Sequence, residues 1–399
     1  MNGRHHQRGG IRNLRVVRRL TDWFDGQRLL SDYPVVRRLK ARADQVRGLW
    51  DHGPRWVRWA VYLALLALAI VAPSPVIGSF MAPYSDWTTV LFDPIGVYVL
   101  LAIGLNIVVG HAGLLDLGYV AFYAIGAYTL ASLGISFGFT FWPTLVIGMA
   151  LAAVSGVILG APTLRLRGDY LAIVTLGFGE IVRITATNTD AIGGARGLTP
   201  VPHPPSMFGI EFGLDPLPYY YLILVAIVLA IIFSNRLVHS RVGRAWTAIR
   251  EDEDAAELMG VPTFRFKLLA FAIGAMIGGL AGVIWAGKII YIEPPNFPFV
   301  LSATILAAVL LGGSGNVAGV VVGAFLIAWL PERFRGFQDY RIMIFGAVLV
   351  IMMALRPQGL LPSRQRRAEF ASGEAGVGLG AEVPDASTAP VNSAPGAGQ

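Results

Sequence analysis

The residues able to do chemistry in this chain are few, and many of them gather in one stretch: GRAWTAIREDEDAAELMGVPTFRFK, residues 243–267, lies between apolar runs and carries five acids. Elsewhere, ionisable groups inside apolar sequence reduce to a handful. Glu180 and Arg183 stand at i and i+3 in TLGFGEIVRI, residues 175–184, where two opposite charges can neutralise each other on one helix face. A charge inside a membrane span costs about 2.5–3.5 kcal/mol on insertion scales, so such a pair must face protein or water. It suits a translocation path, a relay of motion between spans, or a structural tie. Asn106, in GLNIVVG, poses the same question in a milder form, with an interhelical hydrogen bond as its plain role. His111 and Asp116 sit at a turn five residues apart, with no third ligand nearby to make a metal site. GVIWAGKI, residues 282–289, fits G-x-x-x-x-G-K, but Ile289 replaces the hydroxyl that would hold magnesium, and the intervening residues are apolar. With no cysteine, and with five of six histidines in tails or loops and His111 at a turn, no nucleophile and base pair is visible for an enzyme.

The 243–267 stretch reads as two short helices with a turn between them. Ala245, Trp246, Ile249 and Ala256 fall on one apolar stripe, and Arg250, Glu251, Asp252 and Glu253 form a solvated break. Asp254 followed by Glu257 has capping-box spacing, with the Asp254 carboxylate expected to accept from a backbone N–H three residues on. Gly260 then supplies a left-handed stop and Pro262 blocks continuation, which gives a helix over 255–259. The small residues Ala255, Ala256 and Gly260 allow another surface to approach closely. A stiff knob of this kind transmits position from one protein to another; the spacing equally suits an amphipathic helix lying on the membrane face.

The elements that hold this segment are membrane spans. The chain has 399 residues, 55% of them hydrophobic and 14% charged, with mean hydropathy +0.60. A hydrocarbon core needs about 20 apolar residues per helix. Apolar length and breaker residues predict an all-α polytopic transmembrane helical bundle of about ten spans, at 57–72, 94–110, 117–135, 142–162, 169–187, 217–234, 266–288, 299–312, 315–331 and 340–356. With the N-terminus inside, the internal loops collect Arg165, Arg167, Arg236, Arg241, Arg244, Arg250, Arg265, Lys267, Arg364, Arg366 and Arg367, against Arg196, Lys288, Arg333 and Arg335 outside. Both termini are therefore expected in the cytoplasm.

Three regions follow: a basic cytoplasmic arm at 1–56, a membrane-span domain at 57–362 with its charged loop at 235–265, and a small-residue, polar tail at 363–399 expected to be disordered. The arm crowds arginines beside Trp50, Trp56 and Trp59, and reads as a tail held near anionic lipid rather than as a nucleic-acid binder. The loop at 188–216 is rich in Gly and Pro and suits an ordered or half-ordered exterior surface. A Gly-x-x-Gly turn recurs at Gly110–Gly113 and Gly312–Gly315, both on the cytoplasmic side, a faint echo of duplication.

DAAELMG carries Ala-Ala-x-x-x-Gly at 255–260, a pattern that resembles the coupling loop of ABC importer permeases, with Asp254 where Glu is usual. Around it stand GLNIVVGHAGLLDLGYVAFYAIGAY (104–128), LRLRGDYLAIVTLGFGEIVRI (164–184), GRAWTAIREDEDAAELMGV (243–261) and RPQGLLP (356–362). Together these closely resemble the branched-chain amino acid ABC permease family, of the LivM type, over about residues 90–362. The run LLAFAIGA, 268–275, departs from the Ile-x-Leu-Pro ending of maltose-type permeases. The resemblance implies a bacterial inner-membrane permease with a homologous second permease, two ATPase subunits that bind ATP and Mg, and a periplasmic substrate-binding protein. No cofactor is expected on the chain itself, nor nucleic acid among its partners. Leucine, isoleucine and valine are the implied cargo, with urea or small amides as the alternative. In this frame Arg250, Glu251, Asp254 and Glu257 set docking register on the ATPase, while Ala255, Ala256 and Gly260 permit contact. An ATP-independent channel or secondary carrier would need more buried acids than Glu180 supplies.

Overall fold

A computed structural model describes residues 64–164, 169–206, 211–213, 215–335 and 359–361, with isolated positions at 209, 343, 346, 347 and 350. The arm at 1–56, the tail at 363–399, nearly all of the tenth expected span and the first residues of the first lie outside these. The chain divides into two units at residue 71. The first is described only as a helical stretch at 64–71; the second contains every element below.

After α1 (Pro75–Met81) come α2 (Trp87–His111), α3 (Val120–Phe137), α4 (Phe141–Thr163), α5 (Asp169–Asn188) and α6 (Pro216–Val238). Two short helices, α7 (Arg241–Glu251) and α8 (Glu253–Leu258), lead into the long α9 (Thr263–Lys288), then α10 (Phe299–Gly312) and α11 (Val317–Arg333). Seven helices among the described residues are long and apolar enough to cross a membrane: α2 to α6, α9, and α10 with the 3-10 turn that precedes it. α11, at 17 residues, is a little shorter. The eighth and ninth expected spans are thus two separate helices, with Gly313 to Asn316 between them. The second expected span, 94–110, follows a kink at Asp93 (φ −135°, ψ 117°) and Pro94, a residue with no N–H to donate, and a short helical segment from Trp87 precedes that kink.

Burial sorts these helices into centre and edge. Of its most apolar window, α2 buries 83%, whereas α5 and α6 bury 22% each. α9 packs chiefly on α4 and α3 and then on α2. Its glycines make this possible: a side chain at Gly282 would run into the Tyr123 carbonyl and come within 2.8 Å of the Ala127 nitrogen on α3. Small residues at four-residue spacing let helix backbones approach, which is how apolar helices associate when lipid offers no hydrophobic gain. Helix ends are satisfied across elements. Ser302 of α10 accepts from the Val120 N–H at 2.9 Å, Thr175 of α5 accepts from the Leu117 N–H at 3.0 Å, and the Tyr119 hydroxyl donates to the Gly274 carbonyl at 2.8 Å.

At the end away from α7 and α8 the bundle is held by aromatic packing. Phe297 sits 5.3 Å from Tyr123 and 5.7 Å from Trp285, and the Trp285 indole donates to Asp93 at 2.9 Å. The loop after α5 folds back over this end, with backbone bonds from Leu198 to Ile292 and from Val201 to Ile290, and its His203 ring lies 2.8 Å from the Tyr219 hydroxyl. The described part of the 188–216 loop thus packs on the 289–292 segment and on Tyr219.

Candidate functional site

The charged segment folds as two helices. Ser240 caps α7 by accepting from the Val242 N–H at 3.1 Å, and the buried side of the pair holds Trp246, Ile249 and Ala256, as the stripe predicts. Two contacts root it in the membrane helix that follows. The Trp246 indole donates to the Phe266 carbonyl at 2.7 Å, and Glu253 forms an ion pair with Lys267, which is itself buried in the first turns of α9. An ion pair so placed is stiff, because either partner alone would leave a charge poorly solvated.

The cap is one place where spacing misleads. Asp252, not Asp254, has the extended conformation of an N-cap (φ −156°, ψ 111°), and its carboxylate accepts from the Ala255 N–H at 3.0 Å, so the helix starts at Glu253 rather than at Ala255. Both acids sit in the same run, and the break that ends α7 falls at Asp252. Asp254 instead occupies the first turn, where negative charge favours the positive end of the helix. The stop is as expected: Gly260 has φ +84°, the Gly260 N–H bonds to the Glu257 carbonyl at 2.9 Å and the Val261 N–H to the Ala256 carbonyl at 3.0 Å.

The faces also divide differently. Glu251, Asp254, Ala255, Glu257 and Gly260 point to solvent, whereas Ala256, expected on the contact face, is buried against its own chain. At the outermost point stand two apolar side chains the motif did not single out, Leu258 and Met259, 89% and 85% exposed. Their register was readable, being off the stripe of Trp246, Ile249 and Ala256, but apolar residues are expected inward. Arg250, expected at the docking face, extends under the segment, where its guanidinium donates to the Gly110 carbonyl at the end of α2.

Beneath the segment the two Gly-x-x-Gly turns meet. The buried Asn106 accepts from the Gly315 N–H at 2.8 Å, so it ties α2 to the α10–α11 turn, and its Nδ2 lies 3.5 Å from His111 Nε2. Asp116, nearby in the 112–119 turn, is fully buried; one oxygen accepts from the Gly118 N–H at 2.8 Å and the other has no protein partner, and burial pushes its carboxyl up to about 7. Glu180 and Arg183 pair within α5 at 2.8 Å, about a third exposed at 33% and 35%. They are far along the chain from these turns and join none of the bonds above. The stretch 282–288 forms the closing turns of helix α9, so its backbone N–H groups do not cradle a phosphate.

The described residues thus present an exposed apolar tip ringed by acids, rooted in α9 and tied to α2. The family model for the permease component of branched-chain amino acid transport systems matches residues 91–353. The chain is 42% identical over 336 residues to the high-affinity branched-chain amino acid transport system permease protein LivM of Escherichia coli (strain K12), covering 78% of this chain and 77% of that protein. It is 43% identical over 302 residues to LivM of Salmonella typhimurium, covering 70% and 71%. To the permease LivH of the E. coli system it is 24% identical over 290 residues, covering 66% and 91%. No solved structure matches. The chain belongs to the family of permease components of branched-chain amino acid transport systems.

Proposed function

We propose that this chain is the LivM-like half of a permease pair that carries branched-chain amino acids through the bacterial inner membrane, with α7 and α8 facing the cytoplasm. A homologous second permease, two ATPase subunits that bind ATP and Mg, and a periplasmic binding protein complete the importer. The basic loops on the α7–α8 side support this orientation under the positive-inside rule.

The observation that carries the reading is the tip of α8. Leu258 and Met259 are almost wholly exposed on a segment whose other side is rooted in α9. Two adjacent exposed apolar residues ringed by Glu251, Asp254 and Glu257 suit a groove on an ATPase subunit that is apolar at its floor and basic at its rim. Ala255 and Gly260 leave the flanks of the tip low. Closure of the ATPase pair then moves α7 and α8 as a unit, and the Glu253–Lys267 pair passes that movement to α9. Glu180 and Arg183 belong to a half-exposed face of α5. Two charges there are too costly to leave in lipid, which supports a role for this face against the second permease or along the pathway.

The test is assembly. In cells producing all subunits, Leu258→Asp with Met259→Asp should leave the permease in the membrane, lose the ATPase from the purified complex and cut leucine uptake by roughly a hundredfold, as loss of two central contact residues implies. Normal uptake with the ATPase still bound would defeat the docking reading.

A further inference from the structure

Arg250 lies in the last turn of α7, yet its guanidinium is spent on the Gly110 carbonyl, and its aliphatic stem lies over Gly113, where a Cβ would come within 2.8 Å of Arg250 Cγ. A cation on a carbonyl at a helix C-terminus is a charge-assisted bond aligned with the helix dipole. It grips α2 at a π-helical turn, Asn106 to His111, a widened turn of the kind often found at functional sites.

The same turn holds Asn106, whose Oδ1 accepts from the Gly315 N–H. The fit there is tight: a Cβ on Gly110 would strike the Asn106 amide and approach the Gly315 nitrogen to 2.5 Å. The α10–α11 turn is tied in turn to residues 359–361. Leu360 and Leu361 donate backbone bonds to the Leu311 and Gly312 carbonyls at 2.8 and 3.0 Å, and Asn316 Nδ2 donates to the Leu361 carbonyl at 2.8 Å. A chain of directional bonds therefore runs from α7 through Arg250 to α2, and through Asn106 to the ends of α10 and α11.

We propose that Arg250 and Asn106 are positioning residues that form a transmission joint. Displacement of α7 and α8 is passed by Arg250 to the cytoplasmic end of α2 and by Asn106 to the α10–α11 turn, so that the two Gly-x-x-Gly turns move with the tip as one body. This rests on the docking reading above. It adds that force reaches the spans through α2 as well as through α9. Sliding apolar contacts would dissipate such a push; a charge-assisted bond to backbone does not.

The experiment uses the complete transporter in proteoliposomes loaded with ATP, with binding protein and leucine outside. Arg250→Ala should keep the ATPase bound and hydrolysing ATP, while leucine transported per ATP falls about tenfold, within the usual range of coupling energies. Arg250→Lys should recover part of the loss. If Arg250 only stabilised the fold, Arg250→Ala would lower thermal stability and leave the ratio unchanged, and that result would overturn the proposal. A second measurement does not depend on that variant folding well. The chain has no cysteine, so Leu115→Cys with Arg244→Cys places one spin label on the 112–119 turn and one on α7. The distance between them should stay constant through the nucleotide cycle and broaden when Arg250→Ala is added. A distance that shifts with nucleotide in the parental pair would refute movement as one body. Failure of docking would look different, as loss of the ATPase from the complex.

Discussion

The two ends of the bundle are built on different principles. The end away from α7 and α8 is closed by rings, Phe297 among Tyr123, Tyr128 and Trp285, with Asp93 held by an indole and the 188–206 segment laid across the top. The α7–α8 end is joined by single directional bonds between helix ends, and its tip residues are exposed. Aromatic packing is worth area and resists change in every direction. A few polar bonds hold register yet can be carried together as a unit. In the proposed function work enters at the α7–α8 end, and that is where the second kind of join is found.

The sharpest way to break this contrast compares two glycines. Gly282→Leu would drive a side chain into the α3 backbone, and the expected outcome is loss of folded protein from the membrane, read by size-exclusion chromatography in detergent. Gly260→Leu meets open space, so the protein should accumulate in the membrane at normal yield, paying only about 1–2 kcal/mol for its left-handed backbone, while uptake is abolished by the bulk added at the tip. Normal uptake by Gly260→Leu would remove the tip from the mechanism.

Next in size is Glu253→Ala, which leaves the buried Lys267 without its carboxylate. Breaking a buried pair costs roughly 3–5 kcal/mol, and the lower end applies because Glu253 is a quarter exposed. Protease cleavage confined to 251–262 should accelerate in this variant, and Glu253→Gln with Lys267→Met should restore resistance without restoring uptake. At the other end, Trp285→Phe keeps the ring contacts but removes the bond to Asp93, at a cost of about 1–3 kcal/mol. Thermal unfolding should register this while leucine transported per ATP stays at its normal value.

The smallest effect concerns pH. Burial raises the Asp116 carboxyl to about 7, so its protonated form favours the fold at low pH, and that contribution is lost as pH rises from the unfolded value near 3.8 through about 7. Asp116→Asn keeps an acceptor for the Gly118 N–H and carries no charge. It should melt a few degrees above the parent at pH 8, with the gap narrowing as pH falls toward 5.

The sequence alone was enough for the class of protein and for most of its elements. A bilayer demands local satisfaction of every backbone group over about 20 residues, so apolar runs, glycines and prolines mark spans without any knowledge of neighbours. The stop at Gly260 and the stripe of Trp246, Ile249 and Ala256 are likewise local, since each follows from one residue's backbone preference or from the helical period. Direction is a different matter. Asp252 took the cap expected of Asp254, Leu258 and Met259 turned outward, and Arg250 reached a carbonyl 140 residues away in sequence. Periodicity says which residues share a helix face, but only the docking of α7 and α8 onto α2 and α9 decides which way each face looks, because the partner that a polar group finds is fixed by distance in space and not along the chain.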